Sequence, residues 1–240
     1  MSIEAARELL IGDGATPLKL EYFAIAGVAE PVRIALSIAD VPFDDVGIDF
    51  KDWFSAKKAT TKYGVVPEMT LPDGSLVTES KAMLRLAGEA DPEGKLFPAD
   101  VRSRLKVEMT LGLVADLDKT WNPAMYVGMR PQKFGYPPKE EWSEGETVIK
   151  KLRTEFVTNE LPRFMGYFTD LIKESGGKFL CGENLTIADI AAYQGIGYYR
   201  RGVADHVPKD CLEKFPEIMA YLGRVEAHPK VAAYKASKAK

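Results

Sequence analysis

Partway along this chain the spacing of its apolar residues changes period, and that change restricts the fold more than any other feature. Between residues 18 and 90, short alternating runs trade places with helical ones. Leu18, Leu20 and Tyr22 alternate, as in a strand with one face on a core. Pro31 opens a segment in which Val32, Ala35, Leu36 and Ala39 recur at helical spacing. Proline is tolerated there because a first-turn N–H has no helical partner to lose. Val46, Ile48 and Phe50 alternate again, and Val65-Val66-Pro67 leads into two runs, 69–71 and 76–78. Pro72-Asp73-Gly74-Ser75 joins those runs. Proline presets one turn dihedral and glycine accepts positive φ, so the pair predicts a tight hairpin. Residues 79–90 return to helix. The order β-α-β, hairpin, α is that of a small α/β sandwich.

After residue 101 the strand signal disappears. Leu105, Met109, Leu113, Leu117 and Trp121 step by four, which predicts a long amphipathic helix. Val148, Leu152 and Phe156, then Phe164, Phe168 and Leu171, predict a further long pair bent near Pro162. Asp91-Pro92-Glu93-Gly94 and Phe97-Pro98 form a turn-rich break. The expected organisation is an extension over 1–16, an α/β domain over 17–95 and an all-α domain over 101–234, interrupted by a Pro/Gly-rich loop over 122–138. Within the helical half, Thr186-Ile187-Ala188-Asp189 reads as a capping box. The threonine oxygen serves an orphan N–H and the aspartate reaches back, with Leu185 and Ile190 as its staple.

Composition excludes several classes of function. Of the 240 residues, 46% are hydrophobic and 28% charged, which fits a globular chain rather than a disordered one. Lys and Arg number 32 against 35 Asp and Glu, so there is no basic footprint for nucleic acid. No apolar run approaches the ~20 residues that span a bilayer, and the N-terminus lacks the basic start and apolar core of a secretory leader. Cys181 and Cys211 make no disulfide framework, and His206 and His228 make no metal cluster. A cytoplasmic protein without metal or membrane is expected. The common nucleotide, hydrolase and zinc motifs are missing.

What remains is distributed. Tyr22 ends the first strand, Trp53 and Lys57 share one helical face, Val66-Pro67 leads into the hairpin, and Glu79-Ser80 opens a helix. With Ala29-Glu30-Pro31-Val32-Arg33, Tyr63-Gly64-Val65-Val66-Pro67 and the capping box, this series resembles the cytosolic glutathione transferases. The nearest are the tyrosine-type classes that include sigma, mu and pi. The resemblance spans 18–234 and implies a thioredoxin-like N-terminal domain followed by an all-helical glutathione-transferase C-terminal domain.

It further implies roles. Tyr22 donates its hydroxyl to the glutathione sulfur. Val66, before a cis Pro67, pairs with the cysteinyl backbone as an added strand would. Ser80 and Glu79 take the γ-glutamyl carboxylate and ammonium at a helix N-terminus. Trp53 and Lys57 hold the glycyl carboxylate, and Asp116 reaches the ammonium from the partner subunit of a homodimer. Glutathione is then a co-substrate, with a small hydrophobic electrophile as the second. The 122–138 stretch, with Met125, Tyr126, Met129 and Phe134, covers the electrophile's pocket or is a surface insertion with its own apolar cluster, and the run Tyr198-Tyr199-Arg200-Arg201 borders that pocket or forms a half-exposed helix face. Two departures stand out: relatives with an arginine after the catalytic strand are matched here by Ala26 with Val28 nearby, and Glu79-Ser80 is usual in other classes. The other reading is a protein that keeps this fold for binding or structure, with little turnover.

Overall fold

The computed structural model describes residues 2–238. Its first half is built on a four-stranded sheet in the order β2-β1-β3-β4. Strand β1 (Leu18–Phe23) runs parallel to β2 (Phe43–Ile48) and antiparallel to β3 (Glu68–Thr70), which pairs with β4 (Leu76–Thr78). As a central strand, β1 is covered on both faces: Leu18 and Leu20 are fully buried, and Glu21 on the opposite face is buried too. Strand β2 stops before Phe50, which the alternation had placed in it. Asp49 accepts the Lys51 N–H at 2.7 Å and turns the chain into helix, leaving Phe50 exposed and stacked on Phe23. Val65 and Val66 lead into β3, and the Val66–Pro67 bond is cis.

Helix α1 (Ile3–Ile11) lies within the N-terminal extension. Ala6 and Leu10 are fully buried, and Arg7 donates to the Ala39 and Ala90 carbonyls at 2.7 and 3.0 Å. Those carbonyls close α2 (Glu30–Ile38) and α5 (Ser80–Glu89), so one guanidinium serves two helix C-termini. Between β2 and β3 the chain forms α3 (Phe50–Asp52), a π-helical turn over Trp53–Lys57 and α4 (Lys58–Thr60).

The second half is helical throughout. Helix α6 (Val101–Tyr126) is capped by Asp100, whose carboxylate accepts the Ser103 N–H at 2.9 Å. Its core face carries Val107, Val114, Leu117, Trp121 and Ala124, whereas Leu105 and Met109 are 57% and 66% exposed. The four-residue stripe read from the sequence fails for a geometric reason. Each step of four advances about 40° on a helix of 3.6 residues per turn, so Leu105 and Trp121 lie about 160° apart. The helix also runs through Pro123 to Tyr126, so the interruption begins after 126 and not at 122.

Helices α7 (Gly145–Glu155) and α8 (Leu161–Glu174) are joined by a π-helical stretch, Phe156–Glu160. Pro162 sits harmlessly in the first turn of α8, just beyond it. Helices α9 (Ile187–Gly197), α10 (Pro216–Glu226) and α11 (Pro229–Lys238) complete the chain. The capping box forms at the start of α9. Fully buried Asp189 accepts the Thr186 N–H at 2.9 Å and hydroxyl at 2.7 Å, the Leu180 N–H at 2.8 Å and the Tyr221 hydroxyl at 3.2 Å. A single apolar core runs through both halves, with α2, α5 and α6 packed on α9. Among the described residues no helix is long and apolar enough to cross a membrane.

Candidate active site

Tyr22 lies near the end of β1, buried except for its edge. Gly27 (φ +47°) folds the following loop directly onto it: a Cβ there would sit 2.5 Å from the phenol oxygen. That contact requires glycine. Burial pushes the Tyr22 pKa up, outweighing the Val28 N–H and the Arg33 charge that pull it down. The phenol therefore keeps its proton at neutral pH.

Arg33 was quoted in the sequence only as part of a helix-opening run, yet it organises this loop. Its guanidinium lies 5.8 Å from the Tyr22 ring centroid and donates to the Ile25 and Ala26 carbonyls at 2.9 and 3.2 Å. Its Nε donates to Asp45 at 2.9 Å. These partners commit the fork to holding the loop. It is not the arginine whose absence Ala26 and Val28 record.

Trp53 is buried, edge-on to Phe23 at 5.5 Å, and Lys57 follows on the same π-helical turn. Lys57 Nζ donates to Glu21 at 2.8 Å, and Lys19 approaches the other oxygen at 3.2 Å. Burial alone would raise the Glu21 pKa; the two ammonium groups more than offset it and hold the carboxyl below the usual range. On the other side of β1, Glu21 pairs with Glu68 in register. Continuing that register places Pro67 level with Tyr22 and Val66 level with Phe23.

Glu79 has φ +70° and ψ 105°, an uncommon conformation for a side chain with a Cβ. Its carbonyl accepts from the Ala82 and Met83 N–H groups, but its side chain caps no N–H of α5, so side-chain capping does not explain the residue. Ser80 is the first residue of α5, half-buried, where the leading backbone N–H groups lack helical partners. Asp116 is exposed on α6, in a surface hollow with Leu113, Thr120 and Tyr167, apart from the side chains just described. Glu108, which the sequence places on roughly the same face, is gripped by Arg85 of α5 at 2.7 and 2.5 Å.

Several contacts in this region escaped the sequence reading. Gln194 of α9 donates to the Gly27 carbonyl at 3.1 Å, across 167 residues of chain, and accepts from Arg201 at 2.5 Å. Trp121 packs with Phe156, Tyr198 and Tyr199 at centroid distances of 4.8, 6.0 and 5.5 Å. Asp118 Oδ1 lies 3.7 Å from where a Gly195 side chain would begin. No local pattern announces such contacts. Among the described residues no group of three His, Cys, Asp or Glu side chains is placed to hold a metal.

A thioredoxin-like sheet with a cis-proline beside a buried tyrosine, packed against an all-helical half, defines a two-part fold of the glutathione-transferase kind. Comparison with known proteins agrees. Residues 140–238 match the family model "Glutathione S-transferase, C-terminal domain". The chain is 26% identical to the class-mu 28 kDa glutathione S-transferase of Schistosoma japonicum, over 90% of this chain and 96% of that one. It is 27% identical to glutathione S-transferase P 1 of Xenopus laevis, over 92% of each. The solved structure of prostaglandin synthase D of Nilaparvata lugens superposes with a TM-score of 0.73 at 27% identity, covering 91% of this chain and 96% of that one. Over about nine-tenths of its length the chain is similar to glutathione S-transferases, and its C-terminal part matches that family's C-terminal domain model.

Proposed function

We propose that this protein is a glutathione transferase in which the Tyr22 hydroxyl stabilises the glutathione thiolate for attack on a small electrophile. The single observation that carries the reading is the covered phenol: a protonated donor under Gly27, beside the cis-proline edge. A free thiol near pKa ~8.5 is only a few per cent ionised at neutral pH. Lowering it by about 2 units takes about 2.7 kcal/mol. One or two hydrogen bonds to a charged sulfur, at about 1.5–3 kcal/mol each, are of that size. Ionisation then contributes roughly 25-fold at pH 7, and holding the electrophile in line supplies much of the rest.

In this reading Val66 pairs with the cysteinyl backbone, and Ser80 with Glu79 binds the γ-glutamyl end. Trp53 and Lys57 bind the glycyl carboxylate. Lys57 is already charged and oriented by Glu21, so the incoming carboxylate meets a fixed ammonium. The units 17–95 and 101–234 would each supply one substrate's site, in a cytoplasmic setting.

The active unit is a symmetric homodimer. What supports this is an apolar face on α6: Val101, Leu105 and Met109 are exposed and, with Leu113, Tyr167 and Leu171, line one hollow between α6 and α8. Leu113 and Tyr167 also border the hollow that holds Asp116, so that carboxylate stands at the edge of the same face. From there it would reach the partner's γ-glutamyl ammonium.

The test is capture on immobilised glutathione followed by a conjugation assay with 1-chloro-2,4-dinitrobenzene. Capture with turnover is the expected result. The rival reading, a binding protein with little turnover, draws on one observation: Ala26 and Val28 bring no cation to the thiol, and Arg33 is committed to Asp45 and the loop carbonyls. Capture without turnover would favour it.

A further inference from the structure

We propose that the second substrate is an electrophile bearing a carboxylate, and that Arg201 seats it. This rests on the transferase reading and names the substrate class for the same cleft.

Three observations lead there. First, Arg201 is tied to the reactive end of the cleft: it donates to Gln194, which donates to the carbonyl of Gly27, the residue lying on the Tyr22 hydroxyl. Its guanidinium is thus two hydrogen bonds from the loop that covers the phenol. Second, Arg201 is exposed and, among the described residues, meets no carboxylate, whereas its neighbour Arg200 pairs with Glu226 at 3.3 Å. Arg200 is a fixed tie between helices; Arg201 keeps donors available. Third, the wall beside it is aromatic and polar. Tyr198 feels the charge of Arg201, and Tyr126 acts electrostatically on both Tyr198 and Tyr22, so Tyr126 links the Arg201 side to the phenol. Trp121 packs against Tyr198, and its indole N–H acts on the Tyr198 hydroxyl.

A planar guanidinium fork matches a carboxylate in two parallel bonds, and a tyrosine–tryptophan wall accepts the flat body of an aryl or enone substrate. The loop after β1 offers no rival cation, since Ala26 and Val28 stand there. The opposing charge is Asp118, which faces Gly195 one residue beyond Gln194. Its carboxyl is accessible yet walled closely enough that burial raises its pKa, with Lys81 as the countercharge. Asp118 works against an anion, and that fixes the sign of a second test.

The experiment compares ethacrynic acid, an aryl enone carrying a carboxylate, with its neutral amide under saturating glutathione. The readout is the acid-to-amide ratio of kcat/KM, which cancels any loss common to both compounds. The wild type should favour the acid. Arg201→Gln should lower the ratio ten-fold or more, Arg201→Lys should restore part of it, and Asp118→Asn should raise it. A ratio unchanged within two-fold in Arg201→Gln would overturn the proposal. Absence of turnover with both compounds would count against the transferase reading instead. The inference is then decided by binding of the two compounds in the presence of S-methylglutathione, followed by quenching of tryptophan fluorescence. Selective weakening of the acid in Arg201→Gln supports it, and equal affinity refutes it.

Discussion

Lys57 Nζ lies 2.8 Å from the carboxylate of Glu21, the residue directly before Tyr22 on β1. The pair couples a glutathione-binding candidate to the strand that carries the reactive one. Lys57→Met leaves a buried acceptor with only Lys19 beside it, at 3.2 Å. An unsatisfied buried group costs about 1–3 kcal/mol, and the remaining lysine places this case at the low end. Urea unfolding should show that loss. The pH dependence has a definite sign. Because the folded-state pKa of Glu21 is depressed, its contribution is present above the ordinary glutamate pKa and fades as pH falls through the folded value. Lys57→Met should therefore flatten the acid limb of the stability profile below about pH 4.3. An acid limb identical to wild type would remove the pair from the account.

Glu79 holds φ +70° while its side chain makes no cap bond to the helix it precedes. Conformations of this kind cost of order 1–3 kcal/mol and persist where function needs them. Glu79→Gly should raise thermal stability, by about 1 kcal/mol after the extra freedom of glycine in the unfolded chain is counted. It should also weaken glutathione binding. Ser80→Ala should weaken binding by about 1.5–3 kcal/mol, roughly 10- to 150-fold in Kd, with little effect on stability. Calorimetry and melting curves on the two variants separate these effects. A Glu79→Gly protein that is both less stable and equally tight for glutathione would show the strain to be incidental.

The apolar face of α6 makes a prediction about assembly. Leu105 and Met109 are more than half exposed, so charging them costs the monomer fold little. Met109→Glu should shift sedimentation of the protein from dimer to monomer. Asp116→Ala should keep the dimer and raise the Kd for glutathione. A monomer with unimpaired glutathione affinity would rule out any contribution across the interface.

How much of this was readable beforehand depended on the range of the interaction. β1, the hairpin and the α9 capping box follow from neighbours within a few residues, and all were legible. Phe50 was misplaced because alternation does not register a capping aspartate one position earlier. The face of α6 was misjudged because a stripe every fourth residue drifts around a long helix. Where a bend near Pro162 was expected, a π-helical stretch over Phe156–Glu160 joins α7 to α8, and no residue type marks it. The bond from Gln194 to Gly27, which ties Arg201 to that loop, joins residues 167 positions apart. It exists only because α9 packs across the loop after β1, and only folding creates it.

Of all these claims, activation of the thiol by Tyr22 is the one on which the rest depend. It is tested most directly by titrating the ultraviolet absorbance of protein-bound glutathione thiolate in wild type and Tyr22→Phe. The account predicts that the bound thiol of the wild type ionises about 2 units below the free thiol, and that the variant returns it most of the way while binding glutathione within a few-fold of wild type. The same thiol pKa in both proteins, with an unchanged rate of conjugation, would contradict it.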